Sequence, residues 1–425
     1  MITFFPSPYK DEILYSILTR YHIRSGNTSY FTTNEDLYGN GNIVSSIDLP
    51  SNNNALISNI PLGFNYDVEE VIKKYTLFNY YTSFISNERK DVVLQILKGN
   101  DGRGVHSIVG AGQKGANKEG YFKICPICYK EEVEDYGEAY LHRINQIPEV
   151  FICSKHKVPL MRSKYPIYYY GKNSYVRLDK KEFIEFNEIK PILLKNIDKL
   201  LKLNNSIQYL LDENVENKDD LWITEQYKSR LKQMELCTPS GRVNLEELQK
   251  RFIDYYGEEL LMIFDLNFYS ENITNWIKYM VRSNRSKVNP IKHLLLIDFM
   301  NINIEEFFTK KITYEPFGRG PWVCLNKICC NYNQPTIKTI EIGYNSKKRK
   351  PVGKFKCEEC GFAYSRCGPD ICEEDKYKIG KIITIGDLYK EEIRRLWNKD
   401  YSIRQIAREL KLGQRTVKKY IIMNM

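Results

Sequence analysis

Residues 125–156 read CPICYKEEVEDYGEAYLHRINQIPEVFICSKH, and this stretch decides what kind of fold the chain can have. Cys125-Pro-Ile-Cys128 opens it and Cys153-Ser-Lys-His156 closes it. Two residues separate the donors in each half, and 24 separate the halves. A two-residue spacer lets one tight turn aim two side chains at one ion. Two such turns complete a tetrahedron, the geometry zinc takes in structural sites. Three thiolates and one imidazole leave no open position. The site is therefore expected to contribute folding energy and not Lewis acidity. His142, between the halves, reads as a hydrogen-bonded packing residue on a helix beside Arg143 and Gln146, not as a fifth donor.

A second set of cysteines repeats the logic further on. Cys324 and Cys329 pair with Cys357-Glu-Glu-Cys360, with 27 residues between Cys329 and Cys357. The intervening TIKTIEIGYNSKKRKPVGKFK reads as a hairpin, so the whole has the layout of a zinc ribbon: two knuckles on two hairpins. Cys330 adjoins Cys329 and could serve in its place. Cys367 and Cys372 are left as buried thiols or extra ligands. The hairpin tip carries Lys347, Lys348, Arg349 and Lys350, which either touch phosphates or form a solvated turn.

The C-terminal YSIRQIARELKLGQRTVKKYIIM carries two short apolar faces: Ile403, Ile406, Ala407 and Leu410, then Leu412, Val417, Tyr420 and Ile421. Ala407 is small where two helices must cross. Leu412 sits in the turn. Gly413 stands at the second N-cap, and Lys411 occupies the turn position where glycine is usual. This is a helix-turn-helix pattern, preceded by a supporting helix, KEEIRRLWNK, with Leu396 and Trp397 as core candidates. The second helix turns Gln414, Arg415, Thr416, Lys418 and Lys419 outward. Gln reads adenine edges, Arg reads guanine and Lys neutralises phosphate.

Composition agrees with these readings. The chain has 425 residues, 42% apolar, enough for several cores. Net charge is +10, and residues 376–425 alone hold 13 Lys/Arg against 5 Asp/Glu. A local cationic excess of that kind is the footprint of a polyanion partner. No apolar run reaches the roughly 18 residues of a membrane span. MITFFPSPYKDEIL lacks the basic start of a secretory signal. A cytoplasmic, nucleoid-associated protein is expected, in which eleven cysteines serve metal and not disulfides. Helical spacing appears at Ile13–Tyr21, Val68–Tyr81, Lys90–Leu97, Trp222–Met234, Leu245–Phe252, Trp276–Val281 and Ile291–Met300. Residues 100–120 read as a glycine-rich loop. GVHSIVGAGQKG lacks the Gly-Lys-Ser/Thr order of a phosphate loop. His22, His106 and His293 have no partner acid or nucleophile at a recognisable spacing, so no catalytic residue is assigned and no enzyme is expected.

Several stretches together resemble the TniQ/TnsD family. FPSPYKDEILYSILTRYHIRSG and ICPICYKEEVEDYGEAYLHRINQIPEVFICSKHKVPL look like a TniQ domain, although Leu141 stands where an aromatic often precedes the His-Arg pair. SGRVNLEELQKRFIDYYGEELL, VNPIKHLLLIDFM, and PWVCLNKICC with FKCEECGFAYSR resemble the part specific to TnsD proteins. The resemblance covers about residues 1–370 in order. It implies a target-site selector of a bacterial transposon. Such a protein binds double-stranded DNA at a chromosomal attachment site and recruits an AAA+ ATPase, and through it the transposase. It also implies Cys329 over Cys330 as the ligand. The alternatives are a TniQ-type adaptor of an RNA-guided effector and a stand-alone helix-turn-helix transcription regulator. ATPase docking falls to about residues 1–100, including Pro8 to Tyr21. Arg282, Arg285 and Lys287 add a second DNA-reading candidate in the central region.

The expected architecture is mainly α and multidomain, with small zinc-binding modules and helix-turn-helix units. The divisions are a TniQ-like helical region at 1–120, a zinc module of three cysteines and one histidine at 121–170, and a central helical DNA-binding region at 171–315. A four-cysteine zinc module at 316–372 and the helix-turn-helix at 380–425 complete it.

Overall fold

The computed structural model describes residues 2–61, 63, 66–111, 120–170, 174–213, 215–266, 273–282 and 288–422. The protein is mainly helical, with three small sheets, and divides into two compact units. The first holds residues 1–227 and 245–312; the second holds 228–244 and 313–425.

In the first unit the helix Leu14–Ser25 buries every residue from Leu14 to Tyr21. Ile13, Ile17, Arg20 and Arg24 fall on one stripe of its surface by helical spacing. A guanidinium in such a stripe needs partners, because an unpaired buried charge costs several kcal/mol. Arg20 finds them in Glu12 at 2.8 Å and Glu138 at 2.8 Å. Ser16 Oγ donates to Glu12 and accepts from Leu141 N–H. Arg143 reaches back to Asp11 and Asp212, while its own N–H donates to the Asp11 carbonyl at 2.7 Å. Residues 9–24 are thus sewn to 138–144 by buried charge-assisted hydrogen bonds. Burial pushes the Glu12 carboxyl up, against the pull of Arg20.

The expected helix over Val68–Tyr81 is two helices, Val68–Tyr75 and Phe78–Thr82, because Thr76 takes an extended conformation between them. The 100–120 stretch contains a short helix, Val105–Ile108, whose His106 lies 2.8 Å from Asp48; residues 112–119 lie outside the described set. The central helices form as expected: Asp220–Gln233, Leu245–Tyr256, Ile273–Arg282 and Pro290–Phe299. His293 is packing, as its spacing suggested. It is buried, stacked on Phe84 at 4.3 Å, bonded to Tyr227 Oη at 2.7 Å, and held down near 3 by desolvation. Lys123 is the unexpected core residue: its ammonium donates to the carbonyls of Ile147, Pro148 and Val150 at 2.5–3.1 Å. A three-stranded antiparallel sheet, β1 (Lys123–Ile124), β2 (Met161–Ser163) and β3 (Phe183–Glu185), closes this region.

The second unit contains a two-stranded pair, β4 (Trp322–Val323) and β5 (Pro335–Ile337). Beside it runs a four-stranded meander, β6 (Ile340–Asn345), β7 (Lys350–Lys356), β8 (Ala363–Cys367) and β9 (Lys381–Thr384). Three helices follow: Gly386–Trp397, Ile403–Glu409 and Gln414–Ile422. One hydrophobic core runs through the whole unit, from Phe317 and Phe355 through Tyr364 and Tyr389 to Ile406, Val417 and Ile421.

Candidate metal centres and nucleic-acid interface

Cys125 is the N-cap of the helix Pro126–Tyr136, with Pro126 in its first turn. Proline fits there because its missing N–H would have been unsatisfied anyway. The Cys128 N–H points at Cys125 Sγ at 3.5 Å. The other half is a tight turn in which His156 N–H meets Cys153 Sγ at 3.4 Å and Lys157 takes a positive φ of 55°. Asn204, from the helix Ile197–Asp212, donates to Ile152 O and so fixes this turn to the scaffold.

The four donors of Cys125, Cys128, Cys153 and His156 lie within 4.8 Å of one another. Cys128 Sγ is 3.8 Å from Cys153 Sγ, almost twice the roughly 2.05 Å of a disulfide bond. His156 Nδ1 is 3.5, 3.3 and 3.8 Å from the three sulfurs. Its other nitrogen, Nε2, is 3.1 Å from Glu131, the outer carboxylate that commonly orients a metal-binding imidazole. Hydrogen bonds from Cys125 and Cys128 hold the Cys153 thiol well below its ordinary value, as expected where sulfurs converge.

His142 is not helix-borne. It forms a β-bridge with Glu12 and precedes the short 3-10 helix Ile144–Gln146, because its segment is held extended against Asp11 and Glu12. It is hydrogen-bonded, 2.5 Å from Glu132, and stacks on Tyr140.

The second cluster gathers Cys324, Cys329, Cys357 and Cys360, all buried, within 4.8 Å. Cys324 and Cys329 sit in the turn between β4 and β5. Cys357 and Cys360 sit between β7 and β8, where Gly361 supplies a positive φ of 64°. Asn331 N–H reaches Cys329 Sγ at 3.4 Å, and Cys324 Sγ lies 3.8 Å from Cys360 Sγ. Cys330 is exposed and outside the group, since adjacent side chains in this turn diverge. Cys367 and Cys372 are exposed too, so they are not the buried thiols that one reading allowed.

The terminal helices are seated on this cluster. Gly386, at φ +75°, lies so close that a Cβ there would meet Cys360 O at 2.1 Å. Ser402 and Gln405 form a reciprocal capping box that starts the second helix. Lys411 takes the positive φ of 52° that its turn position demands, and Gly413 O receives the Thr416 and Val417 N–H groups. Ile406, Ala407, Leu410, Leu412, Val417 and Ile421 are buried together. Trp397 is not core: it stays 36% exposed, because it follows Leu396 by one residue and so faces away from Tyr389, Ile393 and Leu396.

On the third helix Gln414, Arg415, Lys418 and Lys419 are exposed and Thr416 is half-buried. Arg404, Arg408 and Lys411 join them as exposed cations that the sequence reading passed over, although they share the same short stretch. None of these six cations has an ion-pair partner among the described residues. At the β6–β7 tip, Lys347, Lys348 and Arg349 are exposed, and the Asn345 carboxamide receives the Lys347 and Lys348 N–H groups. Arg282 is exposed at the end of its helix; Arg285 and Lys287 lie outside the described residues. In the N-terminal region Leu14–Tyr21 is wholly buried, so that part of the expected docking segment presents no surface. Among the described residues no helix is long and apolar enough to cross a membrane.

A mainly helical scaffold that gathers buried cysteine clusters able to hold metal ions, and carries exposed cations on its last helices, defines the structural class of this protein. Comparison with known proteins gives this class a family. The model described as Tn7-like transposition protein D matches residues 203–424, and the TniQ model matches residues 3–160. The transposition protein TnsD of transposon Tn7 from Escherichia coli is 23% identical over 296 residues, which is 69% of this chain and 56% of that relative. The chain therefore spans little more than half the length of this curated relative. It belongs to the TniQ/TnsD family. The TnsD match runs through the terminal helices, beyond the roughly 370 residues that the motifs alone had covered.

Proposed function

We propose that the protein selects the target site of a Tn7-like transposon. It binds double-stranded DNA at an attachment sequence and recruits the AAA+ ATPase that engages the transposase. It catalyses no DNA cleavage or joining itself. The observation that carries this reading is the third terminal helix. Its Gln414, Arg415, Lys418 and Lys419 stand exposed, while its inner face shares one core with the second cysteine cluster. Unpaired cations on a rigid helix suit groove reading: the arginine and glutamine reach base edges and the lysines hold phosphates. We read the last two helices as a helix-turn-helix. The β6–β7 tip, with Lys347, Lys348 and Arg349, and the surface around Arg282 lengthen the footprint.

Both clusters are read as structural zinc sites, the second as a zinc ribbon. Zinc with bonds of about 2.3 Å to sulfur and about 2.0 Å to nitrogen requires S–S edges of about 3.8 Å and S–N edges of about 3.5 Å. The observed 3.8 Å between sulfurs and 3.3–3.8 Å from sulfur to His156 Nδ1 fit that tetrahedron. All four positions of each site are filled by protein, which supports a structural and not a catalytic ion.

For ATPase docking, residues 1–100 keep exposed apolar side chains outside the buried helix face, among them Ile23, Tyr30 and Phe31. The decisive experiment is nuclease footprinting on DNA flanking the transposon end, followed by capture of the ATPase. A protected sequence and a DNA-dependent ternary complex are expected. Protection without ATPase capture would favour a stand-alone regulator, and no protection at all would remove the selector reading.

A further inference from the structure

The second unit contains a cavity of about 330 Å³ whose walls, apart from Arg349 at the mouth, none of the roles above uses. Buried Cys237, Pro316 and Pro351 line its inner part, Tyr314 and the exposed Tyr344 contribute aromatic rings, and the charged Lys232, Glu235 and Arg349 stand at its edge. Burial pushes the Tyr314 phenol up to about 12, so the ring presents a neutral hydroxyl at physiological pH. The Lys232 ammonium lies 5.8 Å from the centroid of the same ring.

Two features mark this cavity as more than a crevice. Lys232, Glu235 and Arg349 have no ion-pair partner among the described residues, although both signs of charge line one mouth. Glu235 and Arg349 also both hold left-handed backbone conformations, with φ of 60° and 52°. Glu235 lies just beyond the helix Asp220–Gln233, where Leu236 N–H bonds back to Leu231 O, a position normally given to glycine. A charged residue there costs about 1–2 kcal/mol of backbone strain, yet both such residues line the cavity.

The chemistry of the walls specifies the ligand. Aromatic rings take a flat π surface. Glu235 and Gln233 offer hydrogen bonds to a polar ring edge. Arg349 takes a phosphate, and Lys348 and Lys347 continue outward from it along the hairpin tip. The volume is at the lower end of small-ligand pockets, which suits one base with its sugar and not an oligonucleotide. We propose that this cavity binds a single nucleotide unit, its base against Tyr314 and Tyr344 and its phosphate on Arg349. The nucleotide comes either from the target duplex, extruded beside the hairpin tip, or from solution. The first source rests on the DNA-binding reading; the second does not.

The test has two arms on the full chain. In the first, dAMP, dGMP, dCMP and TMP are titrated calorimetrically. In the second, 2-aminopurine is placed in turn at each position of the footprint, where extrusion unstacks it and raises its fluorescence. Arg349→Ala, an exposed substitution, and Tyr314→Ala are compared with wild type after matching metal content. Extrusion predicts one bright position, dimmed by both variants, with the footprint kept by Tyr314→Ala, whose ring has no part in the DNA-binding surface. A free ligand predicts saturable mononucleotide binding, weakened about tenfold or more by Arg349→Ala, with no bright position. An intact footprint with neither signal overturns the cavity proposal and leaves target selection standing. Mononucleotide binding without any footprint would do the reverse.

Discussion

Replacing Gly386 with alanine measures how firmly the terminal helices are seated on the second cysteine cluster. The built Cβ meets Cys360 O at 2.1 Å and Phe362 N at 2.6 Å, both backbone atoms that cannot swing aside. The first terminal helix must therefore move by about 1 Å from a close-packed seat. A non-glycine residue at φ +75° adds about 1–2 kcal/mol of backbone strain, and overpacking adds about 1–3 kcal/mol. The expected loss is about 2–5 kcal/mol. In a unit of this size that lowers Tm by roughly 10 °C or more. Gly318→Ala is the control: φ is +68°, but nothing lies within 4 Å of its built Cβ. It should show the backbone strain alone, a loss of roughly 4 °C. Differential scanning calorimetry of both variants, with zinc quantified, separates the two contributions. Both should keep their zinc, since no ligand is touched. Gly386→Ala should also blur the footprint, because the helix carrying Arg415 loses its fixed position. Equal Tm losses in the two variants would refute the claim that the terminal helices are locked onto the Cys360 turn.

Other outcomes follow from the same structure. Cys128→Ser should release one of two zinc equivalents, measured by atomic emission. Structural zinc contributes about 10–16 kcal/mol, more than most domains possess in total, so the first unit should melt with it. Arg415→Ala should lower the preference for the attachment sequence by about 1–3 kcal/mol, while Lys418→Ala should weaken all sequences alike and reduce the salt slope by about one; competition binding across salt concentrations distinguishes them. Lys123→Met removes the ammonium donor from the carbonyls of Ile147, Pro148 and Val150, of which Ile147 keeps the Val150 N–H, and should cost about 2–4 kcal/mol in urea melts. Its pH signature is separate. Burial lowers Lys123 from its ordinary 10.5 to about 7, so between those values the unfolded chain holds the proton more tightly. Wild-type stability should then gain a rising contribution across that window, and Lys123→Met should lose it.

What the sequence disclosed and what it hid divide along one physical line. Cysteine and histidine donors separated by two residues declare themselves, because the spacing is the turn; three of the four half-sites have it, and the fourth, Cys324 and Cys329 with four residues between them, needed the family pattern to choose Cys329 over Cys330. The terminal helices were legible for a similar reason, with apolar positions three and four apart and a small Ala407 where they cross. Trp397 is hydrophobic like Leu396, but its angular position on the helix, one residue past Leu396, turns it outward. The return of residues 228–244 to the second unit left no local trace, and with it the cavity that those residues help to line. Pairing across about a hundred residues has no periodicity to betray it. One signal was available: Arg20 falls on the stripe of Ile13 and Ile17, where a cation can stay only if carboxylates come to meet it.

That buried pairing also changes how the most family-like segment is to be understood. Residues 5–26 resemble the TniQ pattern closely, and resemblance invites the inference that they meet a partner. The structure gives them another task. Glu12 and Arg20 are shut away from solvent, their bonds fix the 138–144 segment, and that segment leads on to the turn carrying Cys153 and His156. A substitution at Arg20 leaves Glu12 buried and unpaired, a cost of several kcal/mol, so it would disturb the first metal centre before any docking surface. Loss of ATPase capture in such a variant would report a broken scaffold. Only exposed side chains of the same region, Ile23, Tyr30 and Phe31 among them, can separate recognition from folding, because their removal exposes no buried charge and leaves the ligand turns untouched.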